Sequence, residues 1–509
     1  MREDESSSTS TSNKKDAKND DDKQDTRRSI KDIKYDFFSR PIHSKSENPD
    51  DCNDGAWETN NPVDSTTGLW FDPRDSGPGS RGADWYEMIP KMIRHGFDSA
   101  LGTDPENHPF LLAERSYNPP PLRQQIIECL FEEMRMPAVF LARDATLACY
   151  ACGRTTATVM DIGYGGTTVT PVYEGYVEQK GIRRSPIGTL EMDLRIVKTL
   201  DHFNKKPFMP LYQLRRPSHA KRADPFHQLA RLHVAQQCRE EGAGAAVDTT
   251  STAVAFAAPN AAFHLPDGQK VNIPSPHRFA VANLLLGQDD ESTKYREEIA
   301  TARKNKASEF VTAALQFEED EDDEDAPQFT DATAVGISPP IRRGRPSKKK
   351  KASNASAAAS AKAAEEEQVK RQAFKHRHLL RACAPYLQTQ LDQFTSAPLA
   401  NMVCDSAFRC DRDQQAQLLG NLILAGGGAC LGPMEDSVPD YVRTGVESII
   451  HQHTPGWRVK VLTPGIQERS VCSWLGGSIL GSLGTFHDMW ITKAEYEEHG
   501  TAIVNRKCP

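Results

Sequence analysis

Apolar residues recur at helical and at strand spacing along much of the chain, and the pattern is clearest between about residues 84 and 200. Helical spacing predicts a helix from about Asp84, a second helix after Pro121 and a third over Ala145–Cys152. Short apolar runs predict three strands, at Phe110–Ala113, Val139–Leu141 and Thr156–Met160. Strands that alternate with helices in this way indicate an α/β fold.

The same pattern divides the chain into five segments. Residues 1–83 are rich in Ser, Asp, Asn, Pro and Gly, so we expect a disordered tail followed by irregular loops. Residues 84–200 carry the α/β pattern, and residues 201–287 are less regular, with a predicted helix at Phe226–Arg239 and a hairpin around Pro266–Gly268. Acidic, basic and Ala-rich runs make residues 288–375 a predicted charged, disordered insertion. Apolar periodicity returns over residues 376–509.

Composition agrees with this division. Of the 509 residues 38% are hydrophobic, and the mean hydropathy of −0.60 is below that of a fully folded globule of this size. A net charge of −8 excludes a global nucleic-acid-binding charge, so contact with nucleic acid has to be local. The eleven cysteines are scattered and no apolar run approaches the length of a membrane span, so we expect a reducing intracellular compartment and no membrane partner.

Two glycine-rich turns carry the candidate chemistry. The first turn, between two predicted strands, contains Asp161, Gly163, Gly165 and Gly166. The second turn, after an apolar strand, contains Gly426, Gly427 and Gly428. Glycine lacks a Cβ atom, so such turns let backbone N–H groups approach a phosphate chain. Tight structural turns use the same residues, and without further context that interpretation is the favoured one.

The residues Ser473–Gly500, together with the closing Arg506–Pro509, resemble the carboxy-terminal signature of the actin family. Four shorter segments are similar to actins at matching spacing: Gly153–Thr156, Pro171–Tyr176, Leu265–Gln269 and Trp474–Ile479. The resemblance implies an actin-like α/β fold, with two ribonuclease-H-like lobes around a nucleotide cleft. It also implies ATP with Mg²⁺ as the cofactor, the first glycine turn as the second phosphate loop, and the second glycine turn as the support of the nucleoside.

Departures from the actin pattern weaken the implied cleft. Nothing in residues 1–83 resembles the first phosphate loop of actins, so we expect an incomplete first subdomain, through either a misassigned start or a true loss. Asp144 and Thr168 stand where actins have the glutamine and histidine beside the attacking water. Tyr164 replaces an acidic residue of the second phosphate loop, and Leu431 and Ser470 replace two nucleoside-pocket side chains. Because phosphoryl transfer depends on positioned charges and an oriented water, we expect no enzyme, and ATP that is weakly bound or lost.

Within the family, the segment Gly181–Gly188 and the stretch from Cys410 to Gly427 resemble the class-four nuclear actin-related proteins. That resemblance implies a nuclear scaffold subunit of chromatin-remodelling and histone-acetyltransferase complexes, which act in chromatin organisation and transcription regulation. The implied partners are nuclear actin and a long helix of the remodelling ATPase or of its acetyltransferase counterpart. An active actin-type ATPase that polymerises is the alternative.

A basic segment of the insertion gives another hypothesis. Arg343, Gly344, Arg345 and Pro346, followed by Lys348–Lys351, resemble an AT-hook core, in which arginines lie in the narrow minor groove of A·T-rich DNA. A nuclear-localisation signal or a solvated charge run is an equal alternative. The acidic run Glu318–Asp325 either contacts histones or pairs with nearby lysines, and the second interpretation is favoured. A DNA-binding protein that acts through the hook therefore remains a further alternative function.

Overall fold

A computed structural model describes ten parts of the chain: residues 39–41, 57–59, 90, 92–215, 224–242, 260–287, 289–316, 378–430, 437–452 and 456–509. Most of the predicted tail, the hook residues Arg343–Pro346 and Leu431 lie outside the described residues, so the predictions made for them stay predictions. Among the described residues, no helix is both long and apolar enough to span a membrane.

Thirteen strands are described, and they form four sheets. Their bounds are β1 Ser39–Pro41, β2 Trp57–Thr59, β3 Phe110–Glu114, β4 Ala138–Arg143, β5 Ala157–Ile162, β6 Thr167–Tyr173, β7 Tyr176–Val177, β8 Arg183–Ser185, β9 Ala261–His264, β10 Lys270–Ile273, β11 Asn421–Ala425, β12 Lys460–Leu462 and β13 Ile491–Thr492. One sheet has the order β13-β4-β3, and a six-stranded sheet has the order β12-β11-β5-β6-β7 with β8 beside β6. Two short hairpins, β1-β2 and β9-β10, complete the set. The β9-β10 hairpin confirms the turn predicted around Pro266–Gly268.

The helices cover the three-stranded and the six-stranded sheet. Their bounds are α1 Pro120–Glu128, α2 Asp144–Ala151, α3 Thr189–Asn204, α4 Leu211–Arg215, α5 Asp224–Gly242, α6 Ser275–Leu286, α7 Asp290–Gln316, α8 378–390, α9 Leu399–Phe408, α10 Arg412–Gly420, α11 Ser437–His451, α12 Ile466–Arg469, α13 Cys472–Ser482, α14 Lys493–His499 and α15 Ile503–Lys507. Helix α5 confirms the helix predicted at Phe226–Arg239, and α2 confirms the helix predicted at Ala145–Cys152 within one residue.

The apolar side chains bury themselves in two main cores and a thin layer between them. The first core lies around the three-stranded sheet and includes Leu122, Ile127 and Leu141, and the second lies around the six-stranded sheet and includes Met160 and Leu424. Helices α2 and α13 cross in the layer between the cores, so closely that a Cβ atom on Gly476 would lie 1.8 Å from the Leu147 carbonyl oxygen. The molecule therefore has two α/β lobes joined through this helix crossing.

The predicted start of the disordered insertion at residue 288 is wrong. Residues Asp290–Gln316 form the 27-residue helix α7 instead. Its Arg296 is almost fully buried and donates hydrogen bonds to the carbonyl oxygens of Leu284 and Ser396, while Ala300 and Val311 are buried in the body. The folded body accordingly reaches at least residue 316, and residues 317–377 lie outside the described part.

Candidate functional site

A cleft of about 1150 Å³ opens where the two lobes meet. Its walls include the carboxyl end of β3, the start of α2, the loop after β5 and the loop after β11. Side chains and backbone of one lobe therefore face those of the other lobe across the cleft. The volume is somewhat above that of a typical small-molecule pocket, so a nucleotide fits in size.

The first glycine turn lies at one wall of this cleft, between two strands as the sequence pattern predicted. Asp161 is near the end of β5, and the turn leads back into β6. Within the turn, the N–H of Gly163 donates to the carbonyl oxygen of Gly166 at 3.0 Å. A Cβ atom on Gly166 would lie 2.5 Å from the Ser185 carbonyl oxygen. Gly166 is thus required by tight packing, and the Gly163 N–H already has a partner within the protein.

The second glycine turn closes on the first. Gly426 has φ +91°, in the region that favours glycine, and its N–H donates to the carbonyl oxygen of Arg469 at 2.8 Å. A Cβ atom on Gly426 would lie 2.4 Å from Oδ1 of Asp161, and one on Gly428 would lie 2.3 Å from a methyl carbon of Ile162. Gly427 has room for a Cβ atom and lines the open cleft. The structure therefore brings the two predicted turns together around Asp161.

An arginine that the sequence analysis did not single out lies between the acidic residues of the cleft. Nη1 of Arg115 is 2.8 Å from Oδ2 of Asp161 and 3.3 Å from Oδ2 of Asp144. Arg115 directly follows β3 and Asp144 directly follows β4, which are parallel neighbours. The carboxyl ends of parallel strands meet at one edge of a sheet, so this placement was the signal that could have indicated the pair.

Asp144 is held by a full set of hydrogen bonds. Its Oδ1 accepts from the backbone N–H of Ser116 at 3.0 Å, from the Ser116 hydroxyl at 2.5 Å and from the backbone N–H of Ala145 at 2.8 Å. The last bond places the carboxylate at the N-terminal end of α2, where negative charge is favourable. With Arg115 on the other oxygen, the carboxylate is oriented by the protein from both sides.

Asp144 and Thr168 lie together, as the resemblance to actins implied. Thr168 on β6 is the cross-strand partner of Asp161 on β5. Both Asp144 and Thr168 line a small cavity beneath Asp161, with a volume of about 10 Å³, near the minimum for one water. A threonine hydroxyl cannot act as an acid or base near neutral pH as an imidazole can, and Asp144 is already engaged by Ser116 and Arg115.

The charges at the floor of the cleft are compensated within the protein. Burial raises the pKa of the Asp161 carboxyl above its ordinary value, and the charge of Asp144 acts in the same direction, while Arg115 opposes both. A second carboxylate, Asp193 on α3, is buried and accepts a hydrogen bond from Nε of Arg239 on α5 at 2.7 Å. Asp144, Asp161 and Asp193 thus each have an arginine partner in the folded chain.

The remaining predicted cleft residues take more peripheral positions. Tyr164 is half-exposed and lines the cleft, and burial of its ring raises the pKa of its hydroxyl. Ser470 lies at the cleft wall, where its hydroxyl donates to the carbonyl oxygen of Gln467 at 3.0 Å. The carbonyl oxygen of Gly165 faces helix α7 and accepts from Nη1 of Arg303 at 2.8 Å, a contact that the sequence analysis missed because it took this segment for a loop.

The group that the resemblance implies, ATP with Mg²⁺, fits this site only in part. The cleft volume and the bare backbone turns fit a nucleoside phosphate in shape. The charged side chains do not fit a divalent cation, because the guanidinium of Arg115 already contacts the two carboxylates that a hard cation would use. Among the described residues, no group of three or more acidic, histidine or cysteine side chains is arranged to hold a metal ion.

Comparison with known proteins agrees with the fold. The protein called actin-related protein 4 in rice (Oryza sativa subsp. japonica) is 27% identical over 84% of this chain and 76% of its own length. The protein of the same name in Arabidopsis thaliana is 27% identical over 84% of this chain and 77% of its own length. The one in Schizosaccharomyces pombe is 26% identical over 83% of this chain and 82% of its own length. A profile of the actin family matches residues 83–339 and 348–509, well over half of the sequence. With its two α/β lobes around a cleft that holds both glycine turns, the chain belongs to the actin family.

Proposed function

We propose that this actin-related protein is a nuclear scaffold subunit of chromatin-remodelling and histone-acetyltransferase complexes, and that it does not turn over ATP. In this role the chain supplies a rigid two-lobed body to its partners. Those partners are nuclear actin and a long helix of the remodelling ATPase or of its acetyltransferase counterpart.

The observation that carries the proposal is the engagement of Asp144. In actins the residue at this place orients the attacking water, and a water has to reach it. Here both carboxylate oxygens of Asp144 are bonded to Ser116, Ala145 and Arg115. A carboxylate held in this way does not orient a water for in-line attack, and loss of such a group lowers the rate of phosphoryl transfer by orders of magnitude.

The class-four segment supports the scaffold role in a different way. Residues Gly181–Gly188 are all buried, and Arg184 lies between the rings of Tyr117 and Phe394 at 3.8 and 4.7 Å from their centroids. Tyr117 follows β3 and Phe394 follows α8, so the segment ties three parts of the body together. The residues that resemble the nuclear class therefore lie in the interior of the protein, where they shape the body to which partners would bind.

ATP turnover and nuclear co-purification test the two halves of the proposal. We expect the purified full-length chain to release no phosphate from ATP with Mg²⁺ above the level of its Asp161→Asn variant. We expect the tagged chain to co-purify from nuclei with actin and a remodelling ATPase or acetyltransferase subunit. Phosphate release that requires Asp161, or recovery only with cytoplasmic filaments, would instead support the polymerising ATPase.

The hook-like sequence supports a second candidate function, binding to A·T-rich DNA. Two arginines that flank a glycine suit a narrow minor groove, and the following lysines suit phosphates. If the segment binds DNA, the combined changes Arg343→Ala and Arg345→Ala should remove the preference for A·T-rich over G·C-rich duplexes in a titration at fixed salt. Equal affinity of wild type and variant for both duplexes would leave the segment with a localisation or solvating role.

A further inference from the structure

The proposed function accounts for the engagement of Asp144, but not for the contact of one arginine, Arg115, with two carboxylates from different lobes. Asp144 begins α2 at the edge of the three-stranded sheet, and Asp161 lies near the end of β5 in the six-stranded sheet. One atom, Nη1 of Arg115, contacts both. The guanidinium thus joins the two sheets at the floor of the cleft.

We propose that Arg115 is a built-in counter-ion, which occupies the place that a divalent cation would need at Asp144 and Asp161 and which links the lobes without a bound metal. The proposal concerns the chain itself and stands whether or not the protein joins a chromatin complex. It identifies Arg115 as the residue that makes this cleft independent of metal.

The backbone around Arg115 holds the side chain in position. The carbonyl oxygen of Arg115 accepts from Nη1 of Arg143 at 3.2 Å and from the backbone N–H of Asn118 at 3.0 Å. The preceding residue, Glu114, is fully buried and pairs with Arg123 at 2.6 Å. A side chain on so well fixed a loop loses little further entropy when it forms its ion pairs.

Charge makes the guanidinium and a divalent cation mutually exclusive at this site. Two carboxylates carry a charge of −2, and Arg115 reduces the local charge to −1. A divalent cation of the Mg²⁺ or Mn²⁺ type prefers several oxygen ligands and would be repelled by a guanidinium in direct contact with the same oxygens. Arginine also keeps its charge at every pH at which the protein folds, so the guanidinium occupies the site at any pH at which the two aspartates are ionised.

Both carboxylates are accessible to solvent, so metal binding at this site can be tested directly. The side chain of Arg115 is 42% exposed, and those of Asp144 and Asp161 are 20% and 27% exposed. A hydrated ion can therefore reach both carboxylates once the guanidinium is removed. The glycine turns hold Asp161 in place independently of Arg115, since Gly426 packs directly against its Oδ1.

The experiment measures Mn²⁺ binding by electron paramagnetic resonance and the melting temperature with Mg²⁺ or with a chelator. For the full-length wild type we expect weak Mn²⁺ binding and a melting temperature that does not change between the two conditions. For Arg115→Ala we expect Mn²⁺ to bind about tenfold more tightly or better, because a repulsive charge is lost at contact distance. The melting temperature of this variant should rise when Mg²⁺ is added.

Matched variants decide between the proposal and a general effect of charge. Arg443→Ala removes an arginine of similar exposure, 44%, from a surface pair with Asp440, and should leave Mn²⁺ binding unchanged. Arg115→Lys keeps the positive charge and should keep Mn²⁺ binding weak. Adding Asp161→Asn to Arg115→Ala should abolish the gained binding.

Two results would overturn the proposal. One is Mn²⁺ binding by the wild type as tight as that of Arg115→Ala and sensitive to Asp161→Asn, since the carboxylates would then accept a metal beside the arginine. The other is a folded Arg115→Ala variant that gains no Mn²⁺ affinity. If Arg115→Ala does not fold, Arg115→Lys and wild type still decide, because tight Mn²⁺ binding at Asp161 by either of them contradicts the proposal.

Discussion

The buried ion pair behind Arg115 offers the sharpest test of the packing argument. Arg123 on α1 is 4% exposed and Glu114 on β3 is 0% exposed, and Nε of Arg123 lies 2.6 Å from Oε1 of Glu114. Nη2 of Arg123 also donates to the carbonyl oxygen of Cys508 at 2.6 Å. Changing Arg123 to Met keeps most of the side-chain volume and removes the charge and its hydrogen bonds.

The expected cost follows from what remains around Glu114. Breaking a buried ion pair typically costs about 3–5 kcal/mol, because the remaining charge has lost its partner. Here Glu114 keeps Arg143, whose Nη1 lies 3.6 Å from the same oxygen, and the amide of Asn118 at 3.3 Å. We therefore place Arg123→Met near the lower end of that range, at about 3 kcal/mol of lost stability, with the lost bond to Cys508 included.

Urea unfolding followed by circular dichroism measures this loss, and a double-mutant cycle isolates the pair. Glu114→Gln alone leaves Arg123 charged in the interior and should also destabilise. The double variant leaves only Arg143 without its carboxylate partner, and Arg143 keeps its hydrogen bonds to two backbone carbonyl oxygens. The loss of the double variant should therefore be smaller than the sum of the two single losses by about 1 kcal/mol or more. Arg506→Met, at an exposed position near the same end of the chain, is the control and should change stability by less than about 0.5 kcal/mol. Strictly additive single losses, or a loss below about 1 kcal/mol for Arg123→Met, would refute the reasoning.

Gly476→Ala should strongly destabilise the fold, since its Cβ would lie 1.8 Å from the carbonyl oxygen of Leu147, whereas Gly481→Ala in the same helix meets no atom within 4 Å and should be neutral or stabilising in thermal unfolding. Arg184→Lys should cost about 1–2 kcal/mol in urea unfolding, because an ammonium group does not stack between two rings as a guanidinium does. Hydrogen bonds from the Thr492 backbone, then from Lys507, lower the pKa of Glu495 from 4.5 to about 2. Ionised Glu495 therefore stabilises the fold above about pH 4.5 and loses this effect as the pH falls towards 2, so Glu495→Gln should show a shallower fall of melting temperature over that range, and an equally steep fall would contradict this.

Much of the α/β framework could be predicted because its signals are local. Neighbouring residues carry the signals for strand β5, the turn after Asp161 and strand β6, because alternating apolar positions lie on either side of a glycine turn. The same holds for the β9-β10 hairpin with its Pro-Asp-Gly turn. Family resemblance then supplied the relation between the two glycine turns, which are more than 250 residues apart.

Helix α7 could not be predicted in this way because its buried face is made mostly of small residues. Ala300, Ala307 and Ala314 are buried, but alanine gives little contrast against the charged residues beside it. The buried Arg296 even adds to the charge of the segment, although its hydrogen bonds to three backbone carbonyl groups satisfy it inside the protein. The segment therefore resembles a solvated loop in composition and becomes a helix only through its tertiary contacts.

The position of Arg115 depends on an arrangement that no local pattern contains, namely the meeting of two sheets. Once the two sheets are known to meet there, Arg115 and Asp144 form a pair of opposite charges in the cleft. A carboxylate at residue 144 beside Asp161 places two negative charges together, which raises the pKa of Asp161, and Arg115 compensates that charge. Restoring a glutamine by Asp144→Gln would then leave Arg115 paired with Asp161 alone, still in the way of a cation. We therefore expect this single reversion to restore no phosphate release, and we expect the cleft of the Asp144→Gln variant to admit a metal-bound nucleotide only after Arg115→Ala is added.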